Sequence, residues 1–309
     1  MKPSAKLILG AFSIVLAAIF FRLMIGDGVV ALLEPRGLIA SQELRVILKT
    51  SGIMLMLAIP LLALFYAIAW KYRADNTKNE YDPERTASVK TELLMWAIPV
   101  MFVAVLWGVT WKGAHQLDPY APIKNGKHRL NIQVVALRWK WLFIYPEQNI
   151  ATTGVVAFPE NTPIHFELTA DAPMSSFWIP QLGGQMYAMA GMKTQLNLIA
   201  EKGDYAGRNM EINGEGYEGM TFDAKVLSEG DFNAWIRQAR LSSASLDPET
   251  YAKLTLPSRN EPPFSYATVQ PGLFNTIVTK HMPPVKDADK QEYAAPPALN
   301  EPEMSMHGM

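Results

Sequence analysis

Cysteine is absent from this 309-residue chain and only five histidines are present, which limits the metal and redox chemistry it can perform. Without cysteine there is no disulfide, thiolate metal ligand, cysteine nucleophile or lipid-modified cysteine. His115, His128 and His165 are not spaced like ligands of one metal site. No Ser-His-Asp arrangement or phosphate-binding loop stands out. The net charge of −1 gives no indication of a nucleic-acid partner.

Side chains that could take part in chemistry occur at two places in the chain. Glu92 lies one residue before a long apolar run. The simpler interpretation of Glu92 is a carboxylate that the dipole of a helix start stabilises. At the other end of the chain, Met304, Met306, His307 and Met309 offer soft ligands. Such a polar tail most often has no metal role, and we expect weak copper binding at most.

Glu92 belongs to a pair of apolar runs that organise the chain. Gly52–Trp70 and Leu93–Trp111 are 19 residues each and contain no charged residue. A helix of that length spans about 28 Å, close to the hydrocarbon thickness of a bilayer. Two buried helices of a soluble protein are disfavoured, because such helices keep a polar stripe. The sequence therefore predicts a membrane-spanning hairpin.

The N-terminus and the charges of the loops predict the orientation of this hairpin. Residues 1–26 resemble an export signal, and we favour an uncleaved signal anchor over a cleaved signal because no small-x-small cleavage site follows. The hairpin loop 71–92 carries five Lys or Arg residues, and residues 27–51 carry three. The positive-inside rule then predicts that the hairpin loop is cytoplasmic and that everything after Lys112 lies outside.

Beyond a linker rich in Pro and Gly, the hydrophobic period becomes that of β-strands. Arg129–Ala136 alternates apolar and polar residues, and Arg138–Tyr145 is rich in aromatics. Short segments of this kind recur up to Leu227, separated by Gly, Pro, Asn or Asp, and predict an antiparallel sandwich or barrel. We expect further strands at 153–158, 163–169, 176–179, 193–200 and 222–227. A helical period returns at 231–241, 247–253 and 271–280.

Together these parts resemble subunit II of the haem–copper terminal oxidases, whose outer domain is a cupredoxin-like β-sandwich. The resemblance runs from about residue 30 to 280. It rests on Leu32–Gly37 (LLEPRG), Ala69–Arg73 (AWKYR), Trp139–Gln148 (WKWLFIYPEQ), Phe158–Pro163 (FPENTP), Ser176–Gly183 (SFWIPQLG) and Tyr187–Met192 (YAMAGM).

The fold class that we predict is a membrane α-helical hairpin followed by an all-β, cupredoxin-like sandwich and a short helical extension. In order, the chain divides into a signal-like or signal-anchor segment (1–26), an outer linker (27–51), the transmembrane hairpin (52–112), a linker (113–127), the cupredoxin-like periplasmic domain (128–227), an aromatic-rich helical extension (228–282) and a disordered tail (283–309).

One class of that family, the cytochrome c oxidases, holds a binuclear copper centre in this domain. The resemblance implies a His before the Ser-Phe-Trp motif and then Cys-x3-Cys-Gly-x2-His-x2-Met. Here Ser175 stands where the first His would be. Alignment on Gly216 puts four other residues at the later ligand positions, namely Glu211, Glu215, Gly219 and Phe222. Because the bridging thiolates are missing, we expect no metal site in this chain.

The other class, the bo-type ubiquinol oxidases, lacks this copper because ubiquinol delivers electrons to haem in subunit I. The WKWLFIYPEQ and YAMAGM stretches resemble this class, as does an aromatic-rich C-terminal extension with Phe264, Tyr266 and Phe274. Subunits of this class often carry a lipoprotein cysteine before the LLEP motif. Here the equivalent position is about Gly28, so no lipid anchor is expected.

The resemblance implies an inner-membrane subunit of a proton-translocating ubiquinol oxidase, with its main domain in the periplasm. The haems and copper would lie in the partner subunit I, which this chain would stabilise. Glu92 would take up protons beside the proton path of subunit I. Trp139 and Trp141 would form an aromatic interface above that subunit. Two alternatives are a copper-bearing cytochrome c oxidase subunit and a stand-alone, membrane-tethered cupredoxin-like module.

Overall fold

Two long helices form the N-terminal part of the structure. The computed structural model describes residues 15, 19–20, 31–73, 76, 88–123 and 125–282. After a 3₁₀ turn at Ala31–Leu33, helix α1 covers Leu38–Lys71 and helix α2 covers Val89–Gln116. Both helices are long and apolar enough to cross a membrane. Apart from residues 15, 19 and 20, the predicted signal segment lies outside the described residues, as does the tail after 282.

Helix α1 is longer than the apolar run from which it was predicted. We expected it to begin near Gly52, but it begins at Leu38 and is 34 residues long. The added turns are polar on one side and lie beside the β-domain, and the backbone N–H of Ala40 donates to the carbonyl of Leu182 at 3.2 Å. Contact with the domain therefore stabilises a helical segment whose composition alone does not indicate a membrane span.

The β-domain is a sandwich of a six-stranded and a five-stranded sheet. The first sheet has the order β12-β3-β2-β1-β5-β8, and the second has the order β4-β10-β9-β6-β7. Strands β1 and β5 pair in parallel, as do β4 and β10, and the other pairs in these two sheets are antiparallel. The ten strands up to residue 227 are β1 (Leu130–Leu137), β2 (Lys140–Tyr145), β3 (Ile150–Thr153), β4 (Val155–Pro159), β5 (Ile164–Ala170), β6 (Ser175–Trp178), β7 (Met186–Ala188), β8 (Thr194–Leu198), β9 (Gly203–Asn209) and β10 (Thr221–Leu227).

Aromatic side chains fill the space between the two sheets. Trp141 lies edge-on to Phe177 and to Phe222, and the rings of Phe177 and Phe222 stack with their centroids 5.0 Å apart. Phe143 and Phe166 complete this cluster. Burying one such side chain contributes about 1.5–3 kcal/mol, so the cluster accounts for much of the domain's stability.

The C-terminal extension covers the outer face of the six-stranded sheet. It contains α3 (Glu229–Ala239), β11 (Ser245–Leu246), α4 (Pro248–Leu254), β12 (Phe264–Tyr266), β13 (Thr268–Val269) and α5 (Leu273–Lys280). Residues of α4 and α5 form a second apolar cluster with Val135, Leu142 and Ile144 on the sheet. This cover explains why the second half of β1 and all of β2 are buried on both faces instead of alternating.

The strands and helices that the sequence predicted are present, with ends shifted by a few residues. The predicted segment 153–158 corresponds to β4 and includes only the last residue of β3, from which Gly154 separates it with a φ of +69°. Strands β3, β7, β9, β11, β12 and β13 were not predicted. The three predicted helices of the extension are confirmed as α3, α4 and α5.

Candidate functional site

The candidate site is the loop Asn209–Met220, which connects β9 to β10 and faces the first residue of β6. This residue is Ser175, which is fully buried. The amide Nδ2 of Asn213 donates a hydrogen bond to Ser175 Oγ at 2.8 Å. The thioether sulfur of Met220 lies 3.9 Å from the same oxygen. Ser175, Asn213 and Met220 therefore meet at the place where the family resemblance puts a metal.

The other predicted ligand positions do not converge on this place. The side chain of Glu215 is 86% exposed and is ion-paired with Arg259. Phe222 points into the aromatic core, where it stacks on Phe177. A side chain at Gly219 would meet Asn260 of the C-terminal extension, and the backbone of Glu211 bonds to the amide of Asn209.

We infer that the ligand pattern fits this loop in a register two residues earlier than the one we predicted. Alignment on Gly214 instead of Gly216 puts Asn209 and Asn213 at the two cysteine positions and Tyr217 at the histidine position. The final methionine of the pattern then coincides with Met220, which lies beside Ser175. Met220 was the available signal: it is the one residue in the loop that matches a ligand of the pattern, and it selects this register.

In either register, the donor set does not fit a binuclear copper centre. The two bridging thiolates would be replaced by amides in the Gly214 register and by carboxylates in the Gly216 register, and the one soft donor nearby is the thioether of Met220. Asn213 already donates through Nδ2 to Ser175 Oγ and to the carbonyl of Met174. Among the described residues, no group of three or more His, Cys, Asp or Glu side chains could hold a metal ion.

Hydrogen bonds from Asn209 fix the shape of this loop. Its Oδ1 accepts from the backbone N–H of Ser176 at 2.8 Å and of Glu211 at 3.1 Å, while Nδ2 donates to the carbonyl of Glu211 at 2.8 Å. Ser176 Oγ in turn accepts from the N–H of Met210 at 3.0 Å. Buried amides that make such bonds hold neighbouring chain segments together. We infer that this network fastens the loop without any metal.

The C-terminal extension covers the loop from outside. The guanidinium of Arg259 lies 5.2 Å from the ring centroid of Trp139 and also pairs with Glu215. Lys140 pairs with Glu261 at 3.2 Å, next to the same site. The segment that contains Arg259 and Glu261 therefore connects the extension to the loop and to the start of β2.

The two tryptophans expected at an interface lie in different environments. Trp141 is fully buried in the core, with Nε1 donating to the carbonyl of Met220 at 3.4 Å. It cannot contact a partner protein, so the expected interface role is wrong for this residue. Trp139 occupies the β1–β2 turn with a φ of +64°, and its half-buried ring packs over Gly214 and Gly216. Only Trp139 remains available for an interface.

Glu92 lies on the first turn of α2, far along the chain from this loop. Ser88 caps the helix, its hydroxyl accepting from the N–H of Thr91 at 3.3 Å. Glu92 is exposed, and its own N–H donates to the carbonyl of Ser88 at 3.0 Å. This position agrees with a carboxylate stabilised by the helix dipole and leaves the carboxylate accessible for proton exchange.

Histidines do not build a site in the described part of the chain. Nδ1 of the buried His165 lies 2.8 Å from Asn197 Oδ1, and Nδ1 of His115 lies 2.9 Å from the carbonyl of Trp111. His128 is exposed. The methionines and histidine of the C-terminal tail lie outside the described residues.

One buried carboxylate outside the loop holds the C-terminal helix in place. Asp171, just after β5, accepts hydrogen bonds from Lys280 at 2.8 Å, from Tyr251 at 2.8 Å and from His281. Burial alone would raise the pKa of Asp171, but these hydrogen bonds outweigh burial and lower it below its ordinary value. No local pattern in the sequence indicates this cluster, because Asp171 is about 80 to 110 residues away from its partners.

Known proteins resemble this chain over most of its length. The profile of the COX Aromatic Rich Motif family matches residues 240–284. The chain is 42% identical over 290 residues to cytochrome bo(3) ubiquinol oxidase subunit 2 of Pseudomonas aeruginosa, covering 93% of this chain and 87% of the relative. It is 44% identical over 252 residues to ubiquinol oxidase subunit 2 of Acetobacter aceti, covering 81% and 82%.

Solved structures give a weaker similarity. The periplasmic domain of subunit II of cytochrome oxidase from Bradyrhizobium japonicum is 18% identical with a TM-score of 0.36, covering 38% of this chain and 96% of that domain.

Proposed function

Because the chain belongs to the ubiquinol oxidase subunit 2 family, we propose that it holds a β-sandwich without a redox centre against the haem-bearing subunit of that oxidase. It is a subunit of a quinol oxidase, an oxidoreductase complex that contains other oxidase subunits. The chain itself contributes anchoring and structure, while the haems and the copper of the reaction are carried by the partner subunit I.

The observation that carries this proposal is the loop beside Ser175. Asn213 and Met220 lie where copper ligands would be required. The amide of Asn209 and the Nδ2 of Asn213 are committed to hydrogen bonds within the protein, while the buried Oδ1 of Asn213, a hard oxygen donor, makes no hydrogen bond to a described residue. An electron that arrived from a soluble donor would find no acceptor in this domain. Ubiquinol, which is dissolved in the membrane, can instead deliver its electrons to the partner subunit directly.

The hairpin supports a position in the bacterial inner membrane. Helices α1 and α2 expose apolar side chains along their lengths, which requires lipid or other membrane helices around them. The distribution of Lys and Arg favours a cytoplasmic hairpin loop and a periplasmic sandwich. In this arrangement the half-buried ring of Trp139 packs against the edge of the sandwich core and beside Arg259, and the part that stays exposed can contact subunit I.

We assign Glu92 a role in admitting protons to this proton-translocating complex. Its carboxylate is exposed on the first turn of α2, at the end of the helix that the charge distribution puts in the cytoplasm. A carboxylate there exchanges protons with the cytoplasm and can pass them to a proton path in subunit I.

Glu92→Gln removes the exchangeable proton and preserves the shape of the side chain. We expect ubiquinol-driven oxygen uptake by the assembled complex to fall severalfold, with haem content unchanged. Glu34→Gln is the matched control, because Glu34 is an exposed carboxylate at the opposite end of the hairpin, and it should leave turnover unchanged. Equal turnover of Glu92→Gln and the wild type would remove Glu92 from proton entry.

Mild detergent extraction tests the assignment to a complex. A tagged chain should bring with it a haem-bearing membrane subunit whose haems ubiquinol reduces. A chain that is extracted without haem would support the stand-alone tethered module instead.

A further inference from the structure

A cleft between the outer ends of α1 and α2 carries two positive charges with no acidic partner. It has a volume of about 420 Å³ and is lined by Gln42, Arg45, Val46, Lys49, Gln116 and Leu117. Arg45 and Lys49 are four residues apart on α1, so their side chains lie on the same face, one turn apart. Neither takes part in an ion pair with any described residue.

The nearby carboxylates are directed elsewhere. Glu43 is hydrogen-bonded to the backbone of Gly184 and lines a neighbouring cleft against the sandwich. Asp118 lines that same neighbouring cleft, and its Oδ1 accepts from the N–H of Tyr120 at 2.9 Å. Lys112 is exposed on α2 and does not line the cleft. The cleft is therefore suited to an anion.

The position of the cleft relative to the apolar runs indicates the kind of anion. Lys49 lies three residues before Gly52, which is about 5 Å along the helix axis, and Arg45 lies about 10 Å from Gly52. The polar headgroup layer of a bilayer is about 5–8 Å thick on each side, so Lys49 lies within this layer and Arg45 at its water-facing edge. The two helices approach closely at this level, since a Cβ added at Gly113 of α2 would lie 3.4 Å from a methyl group of Val46 on α1.

We propose that this cleft binds the phosphate of an anionic phospholipid from the outer leaflet. Arg45 and Lys49 contact the phosphate oxygens, since a guanidinium and an ammonium are suited to that charge. Gln42 and Gln116 bind the glycerol hydroxyls, and Val46 and Leu117 contact the apolar start of the acyl chains. The lipid fills the space where α1 leaves the sandwich and enters the membrane.

Native mass spectrometry of the detergent-extracted oxidase complex tests this proposal, with phosphatidylglycerol and phosphatidylcholine added in turn. We expect the wild-type complex to retain one phosphatidylglycerol per copy of this chain in preference to phosphatidylcholine. The double variant Arg45→Gln/Lys49→Gln should bind it about 30-fold more weakly, equivalent to about 2 kcal/mol. Each single variant should bind phosphatidylglycerol about fivefold more weakly than the wild type.

Lys112→Gln is the matched control, because Lys112 is exposed at the same membrane level but does not line the cleft. It should retain the lipid as the wild type does. Haem content and subunit ratio establish that each variant has assembled. The proposal is overturned if the double variant retains phosphatidylglycerol like the wild type, or if Lys112→Gln weakens lipid binding as much as the double variant does. It is also overturned if inorganic phosphate alone displaces the lipid.

Discussion

Asn209 shows how a single side chain can take over the structural task of a metal. Its amide joins β9, the loop that follows and the backbone of Ser176 on β6 through three hydrogen bonds. In a copper-bearing relative the same chain segments would be joined through shared ligands. An amide side chain can join these segments by hydrogen bonds alone, without soft donor atoms and without a supply of metal.

Asn209→Ala should destabilise the β-sandwich, because it leaves buried N–H and C=O groups of Ser176 and Glu211 without partners. The expected cost is about 2–3 kcal/mol. A thermal unfolding measurement of the chain in detergent should show a fall in Tm of about 4–12 °C.

The control for this prediction is Asn275→Ala, since Asn275 is exposed on α5 and its side chain makes no hydrogen bond to a described residue. Equal Tm values for the two variants would show that the Asn209 network does not stabilise the loop.

Asp171 makes docking of the C-terminal helix dependent on pH. Its folded-state pKa lies below the ordinary value, so the stabilisation is fully present above about pH 4 and is lost as pH falls through the folded-state pKa. Hydrogen exchange of the amides of α5 should accelerate over that acidic range. Lys280 and Tyr251 lose their acceptor as the carboxylate becomes protonated.

Asp171→Asn should accelerate exchange in α5 at neutral pH as well. The free energy of the local opening that allows exchange should fall by about 1–3 kcal/mol. Asp204→Asn is the control, since Asp204 is exposed on β9, and it should leave α5 unchanged. Exchange in α5 that is insensitive both to Asp171→Asn and to acid would contradict the assigned role.

At this scale the sequence predicted the kind of site but not its register. The absence of cysteine excluded the copper centre, while glycines at 214, 216 and 219 left the alignment of the loop ambiguous. Met220 alone, as a match to the final methionine of the pattern, could have suggested the Gly214 register. The contact between Met220 and Ser175, which favours that register, joins residues 45 positions apart and is invisible to local pattern analysis. The burial of Trp141 was likewise hidden, because β2 is covered on both faces.

Among the elements, the junction between α1 and the sandwich depends on a small residue. Gly37 lies so close to the sandwich that a Cβ there would be 2.9 Å from the carbonyl oxygens of Leu182 and Ile199. Backbone hydrogen bonds flank it, from the N–H of Arg36 to Gln181 at 2.8 Å and from the N–H of Leu38 to Ile199 at 3.3 Å. The membrane hairpin is thereby joined to the domain through backbone atoms.

Gly37→Ala should weaken this junction, because backbone carbonyls cannot move aside as a flexible side chain can. Overpacking of this kind costs about 1–3 kcal/mol, so the Tm should fall by about 2–12 °C. Gly230→Ala is the matched control, as a Cβ at Gly230 in α3 meets nothing within 4 Å. A Tm of Gly37→Ala equal to that of this control would mean that the junction is not tightly packed.

The elements missed by sequence analysis have identifiable physical reasons. Strand β9 carries Gly207 where alternation requires an apolar side chain, because the ring of Phe222 occupies that space. Strands β11 to β13 are two or three residues long and depend on pairing with distant strands. The first turns of α1 form a helix where the polar composition suggested a linker, since contact with the sandwich stabilises them.

On the scale of the whole molecule, the chain joins a membrane hairpin to a β-sandwich whose β9–β10 loop is held by hydrogen bonds. The order of parts was predictable, because two uncharged 19-residue runs followed by alternating segments leave few alternatives. The position of the C-terminal extension over the loop was not predictable from the sequence. It depends on long-range contacts such as those of Arg259 with Glu215 and Trp139. That cover makes the loop part of the structural framework of the oxidase.

The copper content of the purified full-length chain tests the central claim most directly, namely that this subunit serves a ubiquinol oxidase without a redox centre of its own. After incubation with copper and removal of the unbound metal, metal analysis should find no stoichiometric copper, and the near-infrared spectrum should be featureless. Stoichiometric copper that remains bound and absorbs in the near infrared would contradict the account.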